Sequence, residues 1–152
     1  MDLLRVQFVL LCGTSKPGEK NVIAGIFLTH GMLGEAIFKT TEFIMGKQTD
    51  LYYLSNVNST PQLLYQKLLQ LVDQPPYPED GAIIMVCLKG GNTWHVACKV
   101  AHERPHVRVI SGLNLAMAFS LLTKRDKFPY YQLVQILKQD SCRNIDIFPK
   151  NS

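Results

Sequence analysis

Residues 22–31 read Val22-Ile23-Ala24-Gly25-Ile26-Phe27-Leu28-Thr29-His30-Gly31. The first seven are an unbroken apolar run, the pattern of a strand buried on both faces of a parallel sheet. The polar triplet Thr29-His30-Gly31 ends the run, and a helical pattern begins beyond it. There Leu33, Ile37, Thr41 and Ile44 fall on one stripe expected to face the core, and Gly46 is placed to end the helix.

The alternation continues down the chain. Leu51 to Leu54 reads as a short second strand. Thr60-Pro61 reads as an N-cap followed by proline at the first helical position, with Leu64, Leu68, Leu71 and Val72 forming the apolar face behind it. The stretch Gln74-Pro75-Pro76-Tyr77-Pro78 stops that helix and is expected to be a loop. Ala82 to Cys87 is a second fully apolar strand. Lys89-Gly90-Gly91 turns the chain, and Asn92 or Thr93 is placed to cap a helix running to about Arg104. Val107 to Ile110 reads as a strand, and residues 114–123 and 130–139 as helices. Arg143 to Phe148 reads as a short terminal strand. The order βαβαβαβα predicts an α/β fold with a parallel sheet covered by helices.

Composition and charge narrow the function. The chain has 152 residues, 47% hydrophobic and 18% charged, which fits one globular domain. The formal net charge of +4 is spread thinly, with no Lys/Arg run to mark a nucleic-acid groove or a patch for anionic membrane. Cys12, Cys87, Cys98 and Cys142 are far apart and form no C-x-x-C pair, as expected of free thiols in a reducing compartment. The apolar segment Val6 to Cys12 is too short to span a bilayer. As a signal peptide it is poor, since Asp2 sits in the n-region and no small-x-small site follows. It reads as an extra strand or a packed leader, so residues 1–20 are taken as an N-terminal extension and 21–152 as the domain.

In open parallel sheets, sites form where loops leave the carboxyl ends of strands, at the point where strand order reverses. With strand order 2-1-3-4, the loop Thr29-His30-Gly31 and the loop Cys87-Leu88-Lys89-Gly90-Gly91-Asn92 become neighbours across that point. His30 then stands at a strand end, facing a glycine turn and helix amides that favour negative charge. An imidazole is a good nucleophile and leaving group near neutral pH, which suits reversible phosphoryl transfer. His95 and Cys98, spaced i, i+3, suggest a zinc set with His30 and Cys87, against which stands the lack of any ligand pair with zinc-finger spacing.

Three segments resemble the mannose-family enzyme IIA domains of the bacterial sugar phosphotransferase system. Thr29-His30-Gly31-Met32-Leu33, followed by Thr41-Glu42-Phe43-Ile44-Met45-Gly46-Lys47-Gln48, is similar to that family's (Ser/Thr)-His-Gly motif and a helix ending in Gly-x-Gln. Gly90-Gly91 stands where the family has Asp-x-x-Gly-Gly-(Ser/Thr)-Pro-x-Asn. Val109-Ile110-Ser111-Gly112-Leu113-Asn114-Leu115-Ala116-Met117 is similar to Val-x-(Ala/Ser/Thr)-Gly-(Val/Ile)-Asn-(Leu/Ile)-Pro-Met. The matches occur in order and cover about residues 21–145. The resemblance implies an open parallel four-stranded sheet of order 2-1-3-4 with helices on both faces. It also implies a short antiparallel C-terminal strand exchanged between the two subunits of a homodimer. His30 would accept phosphate from the histidine-containing phosphocarrier protein and pass it to a cognate enzyme IIB. Sugar would be phosphorylated as it enters through the membrane permease subunits. The chain would be cytoplasmic, peripheral to the inner membrane through those partners, and would bind no nucleic acid. Thr29, Gly31, Lys89, Gly90, Gly91 and Asn92 would form the loops around the phosphate, and no metal or organic cofactor is implied.

The second motif departs from the family pattern. Its Asp, which orients the imidazole through the nitrogen that is not phosphorylated, is Cys87 here. Asn92 follows Gly-Gly, Thr93 replaces the proline, and His95 replaces the Asn. Lys89 is placed to bring a cation toward the phosphate. A second reading follows: a regulatory or interaction module on the same fold, with phosphotransfer weak or absent. Related domains occur inside transcription regulators, though nothing here resembles a DNA-binding or ATPase segment.

Overall fold

The structure is a computed structural model that describes residues 23–74 and 77–148; the readings for residues 1–20 lie outside these. The element order is β1 (Ala24–Thr29), α1 (Leu33–Met45), β2 (Leu51–Ser55), α2 (Pro61–Val72), α3 (Tyr77–Asp80), β3 (Ala82–Val86), α4 (Asn92–Glu103), β4 (Val107–Ser111), α5 (Leu115–Lys124) and α6 (Tyr130–Arg143). The strands form one sheet in the order β2-β1-β3-β4, parallel throughout, with Phe27 opposite Tyr53 on one side and Met85 on the other. This is the α/β class and strand order expected. The proline-rich connection, expected to be a loop, contains the short helix α3.

Every residue of β1 and β3 is buried, which is why both strands are unbroken apolar runs rather than alternating ones. Successive side chains point to opposite faces. Ala24, Ile26, Leu28, Ile84 and Val86 meet Leu64 and Leu68 of α2 and Val96 and Val100 of α4. Phe27, Ile83 and Met85 meet Met117 and Leu121 of α5 and Leu133 and Leu137 of α6. Each fully buried side chain of this size contributes about 1.5–3 kcal/mol, so these two layers hold the helices to the sheet. A Cβ on Gly25 would come within 2.4 Å of Leu121 Cδ2, so α5 rests directly on the backbone of β1.

Three expectations are corrected. Only half of the α1 stripe faces the core: Thr41 is buried and Ile37 packs against the core, but Leu33 and Ile44 are 43% and 55% exposed. Gly34 and Phe38 take their place on the inner face. The cause is Gly34, where a Cβ would lie 2.8 Å from Thr29 Oγ1 and 3.3 Å from the Phe27 carbonyl oxygen. The helix leans on its smallest residue, and its inner face turns accordingly. The second correction concerns the start of α4. Neither Asn92 nor Thr93 is its cap; Gly91 is, in an extended conformation and with no side chain to offer. The third concerns the C-terminus, where Arg143 is helical and residues 144–148 form no strand within the single chain. Arg143 closes α6, the Asn144 N–H donates to Asp140 O at 3.3 Å, and the Ile145 N–H donates to Cys142 O at 3.1 Å. Residues 144–148 join no sheet, and Ile145, Ile147 and Phe148 are exposed.

At the amino-terminal end of the sheet a buried polar network fixes β2. Arg125 donates to Thr49 O at 2.8 Å and to Asp50 O at 3.3 Å. The Tyr77 hydroxyl donates to Asp50 Oδ1 at 2.5 Å and shares a hydrogen bond with the Tyr52 hydroxyl. Burial, then the bond to Asp50, push the Tyr77 phenol far above its ordinary range. Burial pulls the Arg125 guanidinium down, with Asp50 opposing it. The network lies at the far end of the sheet from His30.

Candidate functional site

His30 is the first residue after β1 and is half-buried. The turn that carries it is held from three directions. Thr29 is fully buried, and its Oγ1 accepts from the Gly34 N–H at 2.7 Å. That bond satisfies a free amide of the first turn of α1, a contribution of about 1 kcal/mol. Gly31 takes φ +59°, the left-handed region that glycine enters without cost. Its N–H donates to Asn56 Oδ1 at 3.2 Å, and its carbonyl accepts from Ser55 Oγ at 2.6 Å. Gly31 is thus clamped at both its N–H and its carbonyl by the last residue of β2 and the residue after it.

The imidazole lies between the two loops that the strand order was expected to bring together. On one side, Nδ1 is 3.1 Å from Cys87 Sγ, and the His30 backbone N–H donates to the same sulfur at 3.4 Å. On the other, a Cβ on Gly91 would come within 2.9 Å of Cε1 and 3.2 Å of Nε2. The ring therefore stands edge-on against the N-cap of α4, where helix amides and the helix dipole favour an anion.

The Nδ1–Sγ contact has two forms. If Nδ1–H donates to sulfur, Nε2 keeps its lone pair and can attack phosphorus. If S–H donates to Nδ1, the proton of a neutral ring sits on Nε2 and blocks it. A carboxylate in place of the thiol would enforce the first form; a thiol allows both.

The other candidate residues separate into two groups. Lys89 and Gly90 are exposed on the turn after Cys87, and Asn92 is exposed on the first turn of α4. Lys89 forms no ion pair with the described residues. Thr93 points inward, and its buried Oγ1 has no hydrogen-bond partner among the described residues. His95 is on the exposed side of α4 and does not orient His30. Burial pushes the Cys98 thiol up. Among the described residues no three His, Cys, Asp or Glu side chains gather where they could hold a metal, so His95 and Cys98 do not join His30 and Cys87. His106 Nε2 lies 3.1 Å from the Val72 carbonyl oxygen, and Trp94 packs against the core. Glu35 pairs with Lys39 at 2.6 Å on the surface of α1, and Glu42 Oε1 accepts from the Gln48 N–H at 3.1 Å.

Ser55 and Asn56 were missed by sequence reasoning. Their signal was positional: Ser55 ends β2 and Asn56 follows it, and β2 flanks β1 in the order 2-1-3-4. The remaining motifs have structural roles. The Gln48 side chain donates to Met45 O at 3.3 Å and Gly46 O at 3.1 Å, tying off the end of α1. Gly112, at φ +84°, turns the chain so that the Leu113 N–H reaches the Val86 carbonyl at 3.0 Å. Asn114 Oδ1 then caps α5 by accepting from the Met117 N–H at 2.9 Å. The third motif therefore folds over the end of β3 beside Cys87. No helix among the described residues is long and apolar enough to cross a membrane.

Comparison with known proteins agrees with this geometry. Residues 25–138 match the model of the EIIA-man family, described as PTS system fructose IIA component. The chain is 26% identical over 123 residues to the PTS system mannose-specific EIIAB component of Escherichia coli K12. That match covers 80% of this chain but only 38% of the relative's length. It is also 26% identical over 119 residues to the PTS system sorbose-specific EIIA component of Klebsiella pneumoniae, covering 77% of this chain and 85% of that one. Among solved structures, the phosphotransferase system component EIIA from Streptococcus agalactiae superposes with a TM-score of 0.76 at 23% identity. That superposition covers 83% of this chain and 97% of the other. With the match running from β1 into α6, through both loops that flank the imidazole, the chain belongs to the mannose-family enzyme IIA components of the sugar phosphotransferase system.

Proposed function

We propose that this chain is a phosphohistidine carrier that accepts a phosphoryl group on His30 Nε2 and hands it on. The observation that carries the reading is the placement of the ring: Nδ1 is engaged by Cys87 at 3.1 Å, and the Nε2 edge lies against the N-cap of α4. The donor would be the phosphorylated histidine-containing phosphocarrier protein. Its P–N bond breaks as the Nε2 lone pair closes on phosphorus. Helix amides at the start of α4 would face the phosphoryl oxygens, and Lys89, Gly90 and Asn92, exposed at the turn into that helix, would border the group. Gly31 lets the chain leave His30 for α1, and the Thr29 hydroxyl, accepting from the Gly34 N–H, ties the first turn of that helix to the end of β1. Delivery would be to a histidine on a cognate enzyme IIB, which serves membrane permease subunits that phosphorylate a sugar on entry. On this reading the chain works in the cytoplasm, peripheral to the inner membrane through its partners. It acts as a homodimer that covers the exposed Ile145, Ile147 and Phe148.

The test is direct. Incubation with phosphoenolpyruvate, enzyme I and the phosphocarrier protein gives one acid-labile phosphate per chain, and His30→Gln abolishes it. Label that persists in the variant overturns the assignment.

One observation favours a second reading, a regulatory or interaction module with weak phosphotransfer. Cys87 is a thiol where a carboxylate would enforce the reactive tautomer. A rate of phosphate acceptance no faster than that of His30→Gln would select this alternative.

A further inference from the structure

Cys87 is a half-buried free thiol whose sulfur touches the imidazole and the backbone N–H of His30. The pairing places a nucleophile next to a base, since His30 Nδ1 at 3.1 Å is positioned to take the thiol proton. The ring has little room to move away from the sulfur, because Gly91 lies against its other edge. An oxygen added to Sγ therefore lies within reach of Nδ1, which the sulfur already touches.

We propose that Cys87 is a reversible oxidation site for hydroperoxides, and that its sulfenic acid disables His30. The inhibitory half rests on the phosphocarrier reading of His30. In the step, Sγ attacks one oxygen of hydrogen peroxide while the thiol proton passes to His30 Nδ1. The S–O bond forms, the O–O bond breaks, and the departing hydroxide takes the proton back as water. Sulfur loses two electrons and the peroxide gains them, leaving Cys87–SOH and one water. The sulfenic hydroxyl can donate to Nδ1, which puts the ring's own proton on Nε2, the nitrogen that must attack. Two equivalents of a small thiol reverse the change, giving back the Cys87 thiol, a small-molecule disulfide and water. The other described thiols lack this arrangement. Cys98 is pushed up by burial, and Cys142 is exposed on α6 with no imidazole against its sulfur.

The experiment uses the intact chain, treated with micromolar hydrogen peroxide and then with dimedone. Peptide mass spectrometry locates the adduct, and the initial rate of phosphate acceptance from the phosphorylated carrier protein is measured in parallel. The expected result is an adduct at Cys87 and a loss of roughly tenfold or more in acceptance, restored by dithiothreitol. In Cys87→Asp, shown to be folded by circular dichroism, peroxide changes neither readout. Adducts confined to Cys142 or Cys12 overturn the proposal, as does an adduct at Cys87 that leaves acceptance unchanged. If untreated protein accepts no phosphate, the phosphocarrier reading fails and the inhibition falls with it. The adduct map then still decides the oxidation site itself.

Discussion

Gly91 stands against the ring of His30, with room for a hydrogen but not for a methyl group. Its φ of −83° is one that any residue adopts, so the backbone does not call for glycine there; the imidazole does. A Cβ would lie 2.9 Å from Cε1, and the ring would have to tilt toward Cys87. Gly91→Ala is expected to fold with its urea midpoint nearly unchanged and to accept phosphate about tenfold or more slowly, since small misplacements of a reacting group are costly. Wild-type transfer by the alanine variant would show that the ring is not held by this contact.

Cys87→Asp is expected to speed phosphorylation of His30, by about tenfold or more if wrong-tautomer occupancy limits the rate. A carboxylate can only accept, so it fixes Nδ1–H and frees Nε2. It also stabilises the positive charge that develops on the ring during attack. Burying part of a carboxylate has a cost, and Lys89 on the same turn offsets some of it. Initial transfer rates from the phosphorylated carrier protein decide the matter. A decrease would mean that the site is built around the thiol.

Much of this arrangement was legible in the sequence, for a physical reason. Buried parallel strands must be apolar on both faces, so Val22–Leu28 and Ala82–Cys87 announced the centre of the sheet, βα alternation gave its class, and the order 2-1-3-4 came from the family resemblance. Adjacency of the His30 and Cys87 loops followed from that order alone. The inner face of α1 followed only in part: Thr41 and Ile37 lie on it, Leu33 and Ile44 do not. It is decided by Gly34 meeting Thr29 and the Phe27 carbonyl, a close approach that hydrophobic periodicity does not register. Ser55 and Asn56 were silent for a related reason. Their bonds to Gly31 join segments 24 and 25 residues apart, and nothing local to either segment signals the other.

Thr93 carries a hydroxyl into the core without a partner among the described residues. Removing such a group while keeping the shape relieves the desolvation that folding imposes on it. Thr93→Val is therefore expected to raise stability by about 1 kcal/mol, read as a higher urea midpoint at unchanged slope. A lower midpoint would mean that the hydroxyl is satisfied in solution by a bound water.

Two surface carboxylates predict an acid limb to stability. The hydrogen bonds from Lys124 first and Ser120 second hold Asp140 below the usual carboxylate range, and Arg104 does the same for Asp73. A depressed folded-state pKa gives stability that is fully present above the ordinary carboxylate range and is lost as pH falls through the folded value. Both groups are solvent-accessible, so each pair is worth at most about 1 kcal/mol. The urea midpoint should fall between about pH 6 and pH 3, and Asp140→Asn should remove part of that fall. An identical pH dependence in the variant would show that Lys124 and Asp140 do not interact in solution.

The full burial of β1 has a further consequence, for motion. Amide hydrogens in a central strand with neighbours on both sides exchange with solvent only when the whole domain opens. His30 is the next residue after that strand. The imidazole is thus mounted at the end of the segment that opens last. On the phosphocarrier reading, a partner would meet a ring supported by the most slowly opening part of the domain.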